Sequence, residues 1–477
     1  MEKTEIILII PPPFFIKMPH IGVAYLAANL RRNGFTVSVY DLSLKLYNNA
    51  KAEFRRFWQI DCVNSYFQSE IAEMVFNNFE GEIDEFIEDL METGIRIIGF
   101  SVNLISIYAA NRMAGKIKHR DPERLIVFGG QGTFSEHPRD QIKPAFADVY
   151  VIGEGEQVLR DIVDAYYNHR EIVNGPGVLL ANDLGVKAGM ASEEVRNLDE
   201  LPFPTFNGFD LNGYNIDSTY KPLPMLFSRG CVRRCAYCMD CVMWPRYRFR
   251  SPRHIMNEIE YHIVYNKTKA FEIIDLACNG NLKQLSGICD LIIDSGAQFS
   301  WVSYALVRGD MDRNILSKMK RAGCHTLIYG VESGSDHVLK KMGKGYASDQ
   351  AQEVIKLTYE AGICVNINII VGFPGETDDD FNETLKFIVK NKKYINEVTN
   401  VSGCTLFPLA DMGKNRQKYE ISWEEHTDPM LFKDSNGIGR NERNNRVEVM
   451  IEEISSLGLS RAIINKPAMN PNVKAVA

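Results

Sequence analysis

The stretch "LFSRGCVRRCAYCMDC", residues 226–241, holds four of the chain's ten cysteines: Cys231, Cys235, Cys238 and Cys241. Their spacing is C-x3-C-x2-C-x2-C. Thiolates at such density suit zinc or an iron–sulfur cluster. Structural zinc takes four ligands, usually from two separated C-x2-C knuckles. No second knuckle follows within the usual ~12–20 residues. A ferredoxin-type run, C-x2-C-x2-C-x3-C, gives a cluster four thiolates. Here the three-residue gap comes first, and the run follows an apolar strand pattern. Used as C-x3-C-x2-C, it holds three irons of a [4Fe–4S] cluster and leaves the fourth open to a non-protein ligand. Zinc, a four-thiolate electron-transfer cluster and a three-thiolate cluster all remain open at this level. The context of the run favours the third.

The elements around the run give that context. The chain has 477 residues, 45% hydrophobic and 24% charged, with a formal net charge of −7. This is globular composition, enough for two or three domains. No bulk positive charge draws nucleic acid or an anionic membrane surface. The first apolar run, Ile6–Ile10, is too short for a signal sequence. No window reaches the ~18 apolar residues of a spanning helix. A cytoplasmic location without stable membrane insertion is expected. In that compartment clustered cysteines point to metal or redox chemistry.

Short apolar strands alternate with amphipathic helices over residues 1–165: "EIILII", "FTVSVY", "IRIIGFS", "LIVFG" and "DVYVIG". Gly34 is expected as the C′ residue closing the first helix, and residues 43–90 as mostly helical. The pattern predicts a doubly wound parallel sheet, Rossmann-like, with helices on both faces. Ligands of such sheets bind at the carboxyl ends of strands. The polar or glycine-rich segments there are "FSVNL", "FGGQG" and "IGEGE". Tight turns alone also explain such glycines. Neither a dinucleotide fingerprint nor a P-loop is present. Residues 166–215 read as a linker, extended coil over 170–215. Residues 216–410 contain six strand–helix repeats, a partial (β/α)6 barrel. Ser251 and Pro252 cap and open its first helix. Residues 411–477 form a polar, mainly helical C-terminal segment, with a helix near 443–458.

C-x3-C-x2-C with Tyr237 before the last cysteine, between a strand and a partial barrel, resembles the radical SAM superfamily. So do "LVRGDMDRNILSKMKRAGC", "YGVESGSDHVLKKMGKG", "VGFPGET" and "RFRSPRHIMNEIEY". The N-terminal pieces "PPPFF…PHIGVAYLAANLRRNGFTVSVYDL", "VFGGQGTFSEHP" and "DVYVIGEGE" resemble the subgroup carrying a cobalamin-binding domain. The resemblance spans roughly residues 5–410. It implies a [4Fe–4S] cluster on Cys231, Cys235 and Cys238, with SAM on the open iron. It implies SAM contacts from Tyr237, Arg308, Glu332 and Gly372. For cobalamin it implies Pro12, Ser101, Asn103, Leu104, Gly129, Gly130, Gln131, Gly153, Glu154 and Gly155. The D-x-H-x-x-G motif is absent, and His20-Ile21-Gly22 does not replace it. Any cobalamin is therefore expected without a histidine on the lower face of cobalt.

The activity implied is methylation of an unactivated carbon through a 5′-deoxyadenosyl radical and methylcobalamin. Its substrate is a small molecule or lipid, and its electrons come from a donor such as flavodoxin or ferredoxin. Alternatives are a cyclisation, ring contraction or oxidation that uses cobalamin without methyl transfer, and a cobalamin-binding sensor or carrier. A tRNA-modifying methylthiotransferase would bring a second cysteine cluster and a basic tail, and neither is visible. Cys241 is expected beside the site, not as a ligand. Cys278, Cys289, Cys324, Cys364 and Cys404 read as core, with a lesser possibility of a site role for Cys404, Tyr304 and Tyr346. Cys62 lies in a helical pattern far from the motif.

Overall fold

The computed structural model describes residues 4–58, 69–134, 146–183, 190–215, 218–423 and 431–460. The chain divides into two compact units, 1–221 and 222–477. Cys62 lies outside the described residues.

In the first unit β1 (Ile6–Ile10) is buried along its whole length. Around it stand β2 (Val37–Asp41), β3 (Ile97–Ser101), β4 (Leu125–Gly129) and β5 (Val149–Val151), all parallel. A sixth strand, β6 (Val178–Leu180), pairs antiparallel to β5. The order is β2-β1-β3-β4-β5-β6, so the winding reverses between β1 and β3. Ligand crevices of doubly wound sheets open at that reversal.

The helices are α1 (Ile21–Arg32), α2 (Leu42–Asn49), α3 (Ala52–Arg55), α4 (Ser69–Asn78), α5 (Glu80–Glu92), α6 (Ile107–Arg120) and α7 (Gly155–Tyr167). One face is filled by Phe76, Phe79, Ile83, Ile87 and Met113 against the sheet. On the other, buried Asn29 of α1 donates through Nδ2 to the Glu156 carbonyl of α7 at 2.6 Å. Gly34 follows α1 at φ +90°, as a C′ glycine does.

The coil expected over 170–215 holds, among its described residues, β6 and two short 3-10 turns, Ala181–Asp183 and Leu198–Glu200. Three apolar residues are too few to show a period, so this strand leaves no sequence pattern.

The second unit is a six-stranded parallel sheet, ordered β14-β13-β12-β11-β10-β7. Its strands are β7 (Leu223–Met225), β10 (Ala270–Ile273), β11 (Ser300–Ala305), β12 (Cys324–Glu332), β13 (Cys364–Val371) and β14 (Glu397–Gly403). Strands β7 and β14 are both edges, so the partial barrel is open. A two-stranded ribbon, β8 (Ser228–Arg229) with β9 (Arg248–Phe249), ties the base of the cysteine loop.

Its helices are α8 (Asp240–Met243), α9 (Pro252–Tyr265), α10 (Leu282–Ser295), α11 (Arg313–Arg321), α12 (Asp336–Met342), α13 (Ser348–Glu360), α14 (Asp378–Asn391), α15 (Asp411–Lys414) and α16 (Arg440–Ser456). Ser251 caps α9 by accepting from the His254 N–H, with Pro252 opening the helix. A capping box of Thr377 and Asp380 starts α14. Alternation along the strands buries one face under the helices. Trp301 donates to the Ala322 carbonyl at 2.8 Å, and the Tyr329 hydroxyl meets that of Thr358 at 2.9 Å.

The C-terminal segment is built into this unit. Met412 and Phe432 share one buried cluster with Ala236, Met342, Phe373 and Cys404. No helix among the described residues is long and apolar enough to cross a membrane.

Candidate functional site: a cysteine loop beside a tyrosine, a glutamate and a lysine

The cysteine loop leaves β8 through Gly230, at φ +83°. A Cβ there would lie 2.3 Å from the Arg246 carbonyl, so only glycine fits the turn. The loop is then pinned at Ala236 from both sides. Its N–H donates to the Met342 carbonyl at 2.9 Å, and its carbonyl accepts from the Met412 N–H at 2.9 Å. Cys235 is buried, and Cys231 and Cys238 are half-buried. Burial pushes the Cys235 thiol up, and the Lys344 ammonium opposes it. Burial also raises Cys231, against the Arg233 N–H and Lys344.

Cys241 stands in α8, and its Sγ donates to the Cys238 carbonyl at 3.1 Å. The mutual hydrogen bond of the Cys238 and Cys241 thiols raises the first and lowers the second. The fourth cysteine thus lies beside the site, as expected.

Behind the loop stands Glu332, the last residue of β12. Its φ is +67°, a strained value for a side chain with a Cβ. The carboxylate turns back over Gly330, where a Cβ would meet Glu332 Oε1 at 2.5 Å. The Tyr237 hydroxyl donates to Glu332 Oε1 at 3.1 Å. Lys344 Nζ donates to the same oxygen and to the Tyr237 hydroxyl, each at 3.4 Å. Burial pulls the Lys344 ammonium down, but Tyr346, Glu332 and Cys235 around it prevail and hold it charged. Burial and Glu332 keep the Tyr237 phenol protonated. Tyr346 donates to the Gly330 and Val331 carbonyls at 3.1 and 2.8 Å, fixing the strand end that carries Glu332.

Gly372, at φ +70° after β13, is held on both backbone groups. Its N–H donates to Glu376 Oε2 at 2.6 Å, and its carbonyl accepts from Arg443 Nε at 2.9 Å. Arg443 is fully buried and also donates to the Phe432 carbonyl at 2.8 Å. Arg308 is paired with Asp310 through two bonds of 2.8 and 2.6 Å. It also donates to the Asn279 and Gly280 carbonyls. In this state its guanidinium ties the loops after β10 and β11 together instead of facing an open site.

Cys278, Cys289, Cys324 and Cys404 are buried, while Cys364 is half-buried. Lys344 and Arg443 carry no sequence signal of their own. The first is one lysine of a Lys-rich loop, and the second sits in a polar helix.

In the first unit, Ser101, Asn103, Leu104, Gly129, Gly130 and Gln131 come together at the carboxyl edge of β3 and β4. The Val102 carbonyl accepts from the Gly132 N–H at 3.0 Å. A Cβ on Gly130 would sit 2.5 Å from that same carbonyl, so the glycines let two loops touch. The Asn103 side chain accepts from the Ile105 and Ser106 N–H groups and shapes the turn before α6. Glu154 is buried and accepts from the Val195 N–H at 2.7 Å. A Cβ on Gly153 would meet Ser192 at 2.7 Å. Gly153, Glu154 and Gly155 therefore serve contacts with residues 190–195 and α7. Pro12 lines an apolar cavity with Phe76, Phe79, Ile105 and Tyr108, next to the β1/β3 reversal. His20 Nδ1 accepts from the Val23 N–H at 3.2 Å. Its Nε2 then carries the proton and meets the Ser101 hydroxyl at 3.2 Å. Both ring nitrogens are engaged, and burial lowers the ring to about 4.

Residues 225–388, which carry the three thiols of the pinned loop and the carboxylate and ammonium behind them, match the model of the radical SAM superfamily. An uncharacterized methyltransferase of Pyrococcus horikoshii is 26% identical over 400 residues, 82% of this chain and 79% of its own. The anaerobic magnesium-protoporphyrin IX monomethyl ester cyclase of Rubrivivax gelatinosus is 26% identical over 69% of this chain, which spans 61% of that protein. Among solved structures, the radical S-adenosylmethionine methyltransferase TsrM of Kitasatospora setae, with tryptophan and a SAM analog bound, aligns with a TM-score of 0.69 at 16% identity. That alignment covers 94% of this chain and 89% of TsrM. The cobalamin-dependent S-adenosylmethionine radical enzyme OxsB aligns with a TM-score of 0.64 at 18% identity, over 87% of this chain and 56% of its own. The two-unit α/β fold of this chain is theirs.

Proposed function

We propose that this chain is a cobalamin-dependent radical SAM methyltransferase acting on an unactivated carbon. The carrying observation is the loop of Cys231, Cys235 and Cys238 set against Tyr237, Glu332 and Lys344. The donor set fits a cluster. Among the described residues no three thiol, imidazole or carboxylate groups converge on one point, as a single zinc ion requires. Three thiols that each take a separate corner iron do not need to converge. The first unit supports a corrin without a histidine ligand, because His20 spends both nitrogens within the fold.

When bound, the cluster, SAM and cobalamin supply one-electron cleavage of SAM and a methyl group for transfer. The protein's residues do the positioning. Cys231, Cys235 and Cys238 hold the cluster. Lys344 sets one positive charge beside the thiolates and Glu332, which favours anionic ligands. Glu332 and Tyr237 present oxygens to the amino and ribose groups of SAM. The Gly372 turn, fixed by Glu376 and Arg443, borders its adenosine. Arg308 acts by holding two loops. Ser101, Leu104, Gly129, Gly130 and Gln131 face the corrin at the carboxyl edge of the first sheet. A low-potential donor of the flavodoxin or ferredoxin type supplies the electron, in the cytoplasm.

The cyclase relatives favour one second reading, radical ring closure with cobalamin and no methyl transfer. Anaerobically reconstituted protein should show cluster and corrinoid absorbance together, and SAM carrying a labelled methyl should yield labelled product. Label that never leaves SAM and corrinoid in the presence of a consumed substrate would favour the cyclase reading.

A further inference from the structure

The chain as a whole is acidic, with a formal net charge of −7. Residues 228–253, which include the cysteine loop, run the other way: seven arginines against one acid, Asp240. Part of that charge turns inward, as buried Arg250 pairs with Glu258 at 2.5 Å. Another part stands on the ligand loop itself. Between Cys231 and Cys235, Arg234 is exposed and Arg233 is half-buried. The carbonyls of Cys231 and Pro245 accept from the Arg234 guanidinium and fix it in place. Carbonyls carry no net charge, so its positive charge is not cancelled.

The fold brings a second basic pair to this loop. The end of α12 lies against it, because the Ala236 N–H donates to the Met342 carbonyl at 2.9 Å. A Cβ on Gly343, the next residue, would sit 3.6 Å from the Arg234 carbonyl. That helix end carries Lys340 and Lys341, both exposed. Among the described residues none of Arg233, Arg234, Lys340 and Lys341 makes an ion pair. The acids around them are engaged or set apart. Asp310 is bonded twice to Arg308. Asp240 accepts from the Cys238 thiol at 3.8 Å, and Asp336 stands at the opposite end of α12. Val232, 45% exposed, adds an apolar side chain next to Cys231.

We infer that this patch docks an acidic one-electron carrier protein, whose carboxylates meet Arg233, Arg234, Lys340 and Lys341 and whose redox centre then faces the cluster loop. The inference rests on the cluster reading of Cys231, Cys235 and Cys238, and it gives the electron donor a place to bind. Opposite charge steers such encounters and raises their rate. Four cations beside one apolar side chain suit the small, weak interfaces of electron-transfer pairs. A nucleic acid fits less well, since it calls for a basic domain and this chain is acidic. Electron transfer also needs the two centres close, and the loop that ligates the cluster is a direct route to it. In the step itself the carrier's centre is oxidised and the cluster is reduced by one electron, with no bond made or broken.

The test uses reconstituted holoenzyme, with reduced flavodoxin and reduced ferredoxin as probes. Bleaching of the cluster absorbance is followed by stopped flow without substrate. Binding of each oxidised carrier is measured separately by calorimetry. In the combined variant Arg234→Glu, Lys340→Glu and Lys341→Glu, bleaching by at least one carrier should slow ~10-fold or more, and its Kd should rise by a similar factor. The pair Lys340→Glu and Lys341→Glu, which leaves the cysteine loop untouched, should shift both in the same direction by less. Raising the ionic strength from about 0.01 M to about 0.15 M shortens the screening length from ~30 to ~8 Å, so it should slow the wild type and narrow the gap. Reduced methyl viologen, a small cation, should bleach the variants at least as fast as the wild type, which separates lost docking from a damaged cluster. Equal carrier rates in wild type and both variants, rates that ignore salt, or bleaching by neither carrier would overturn the inference. Transfer RNA retained by the wild type and released by the variants, with carrier rates equal, would assign the patch to nucleic acid instead. Failure of the underlying reading looks different: no cluster absorbance after reconstitution, and nothing for methyl viologen to bleach.

Discussion

The decisive residues divide into those that hold and those that position. Replacing Cys231, Cys235 or Cys238 by Ala should remove iron–sulfur absorbance and reductive SAM cleavage. Cys241→Ala should keep both, because among the described residues Cys241 hydrogen-bonds to its neighbour Cys238. Lys344→Met deletes two charge-assisted bonds, those to Glu332 and Tyr237. Hydrogen bonds to charged groups carry about 1.5–3 kcal/mol. SAM affinity, measured by equilibrium dialysis, should therefore fall by about 10-fold or more. Cys231, Cys235, Cys238, Tyr237 and Glu332 could be picked out as candidates because their spacing and flanking elements form a pattern. Lys344 could not, because nothing in "MGKGY" separates it from Lys340 or Lys341. Only the fold turns it inward, between Gly343 and Gly345 at φ +75° and +68°. Arg308 shows the converse. Expected from the resemblance to contact SAM, in the fold it is paired with Asp310.

Among the elements, the main parallel strands were legible from apolar runs and the helices between them, while their order in each sheet, β6 and the β8–β9 ribbon were not. The role of the C-terminal segment was not, because α16 is polar and its anchors are scattered. It braces two site loops. Met412 reaches the Ala236 carbonyl, Asp434 accepts from the Gly375 N–H, and Arg446 pairs with Glu376 at 2.7 Å. Arg443→Gln should loosen the Gly372 turn and lower the melting temperature by several degrees, with a weaker SAM affinity in the same variant.

Asp380 joins two further loops, accepting from Ser335, His337 and Thr377. Although burial opposes it, those bonds hold its carboxyl down at about 2. The stabilisation is present above the ordinary carboxyl value near 4 and is lost as pH falls toward 2. Asp380→Asn should therefore be less stable than the wild type at neutral pH, and the gap should close over that acid window in pH-dependent denaturant melts.

Over the whole molecule, two units of different chemistry follow one another in the chain. Each carries a histidine held neutral at about pH 6, half-buried His20 and fully buried His262. Burial lowers both His20 in the first unit and His262 in the second to about 4. Between pH 6.5 and about 4 the unfolded imidazoles bind protons that the folded ones refuse, so stability falls as pH falls through that range. His20→Gln should flatten the slope for the first unit, followed by its own unfolding signal.

The division into two α/β units was legible from the repeated strand–helix alternation. Which polar strand residues of the second unit stand side by side was not. Asn366 and Asn368 look like any polar interruption of a strand until register sets them beside Glu397 and Gly330.

Methyl transfer from SAM through a corrinoid is the step on which the proposed activity depends. Reduced holoenzyme with cobalamin and SAM carrying a 13C-methyl group, without substrate, tests it most directly by mass spectrometry of the bound corrinoid. One labelled methyl per corrinoid, retained on the protein, is the expected result. A corrinoid that stays unlabelled, or that the protein does not retain, would contradict it.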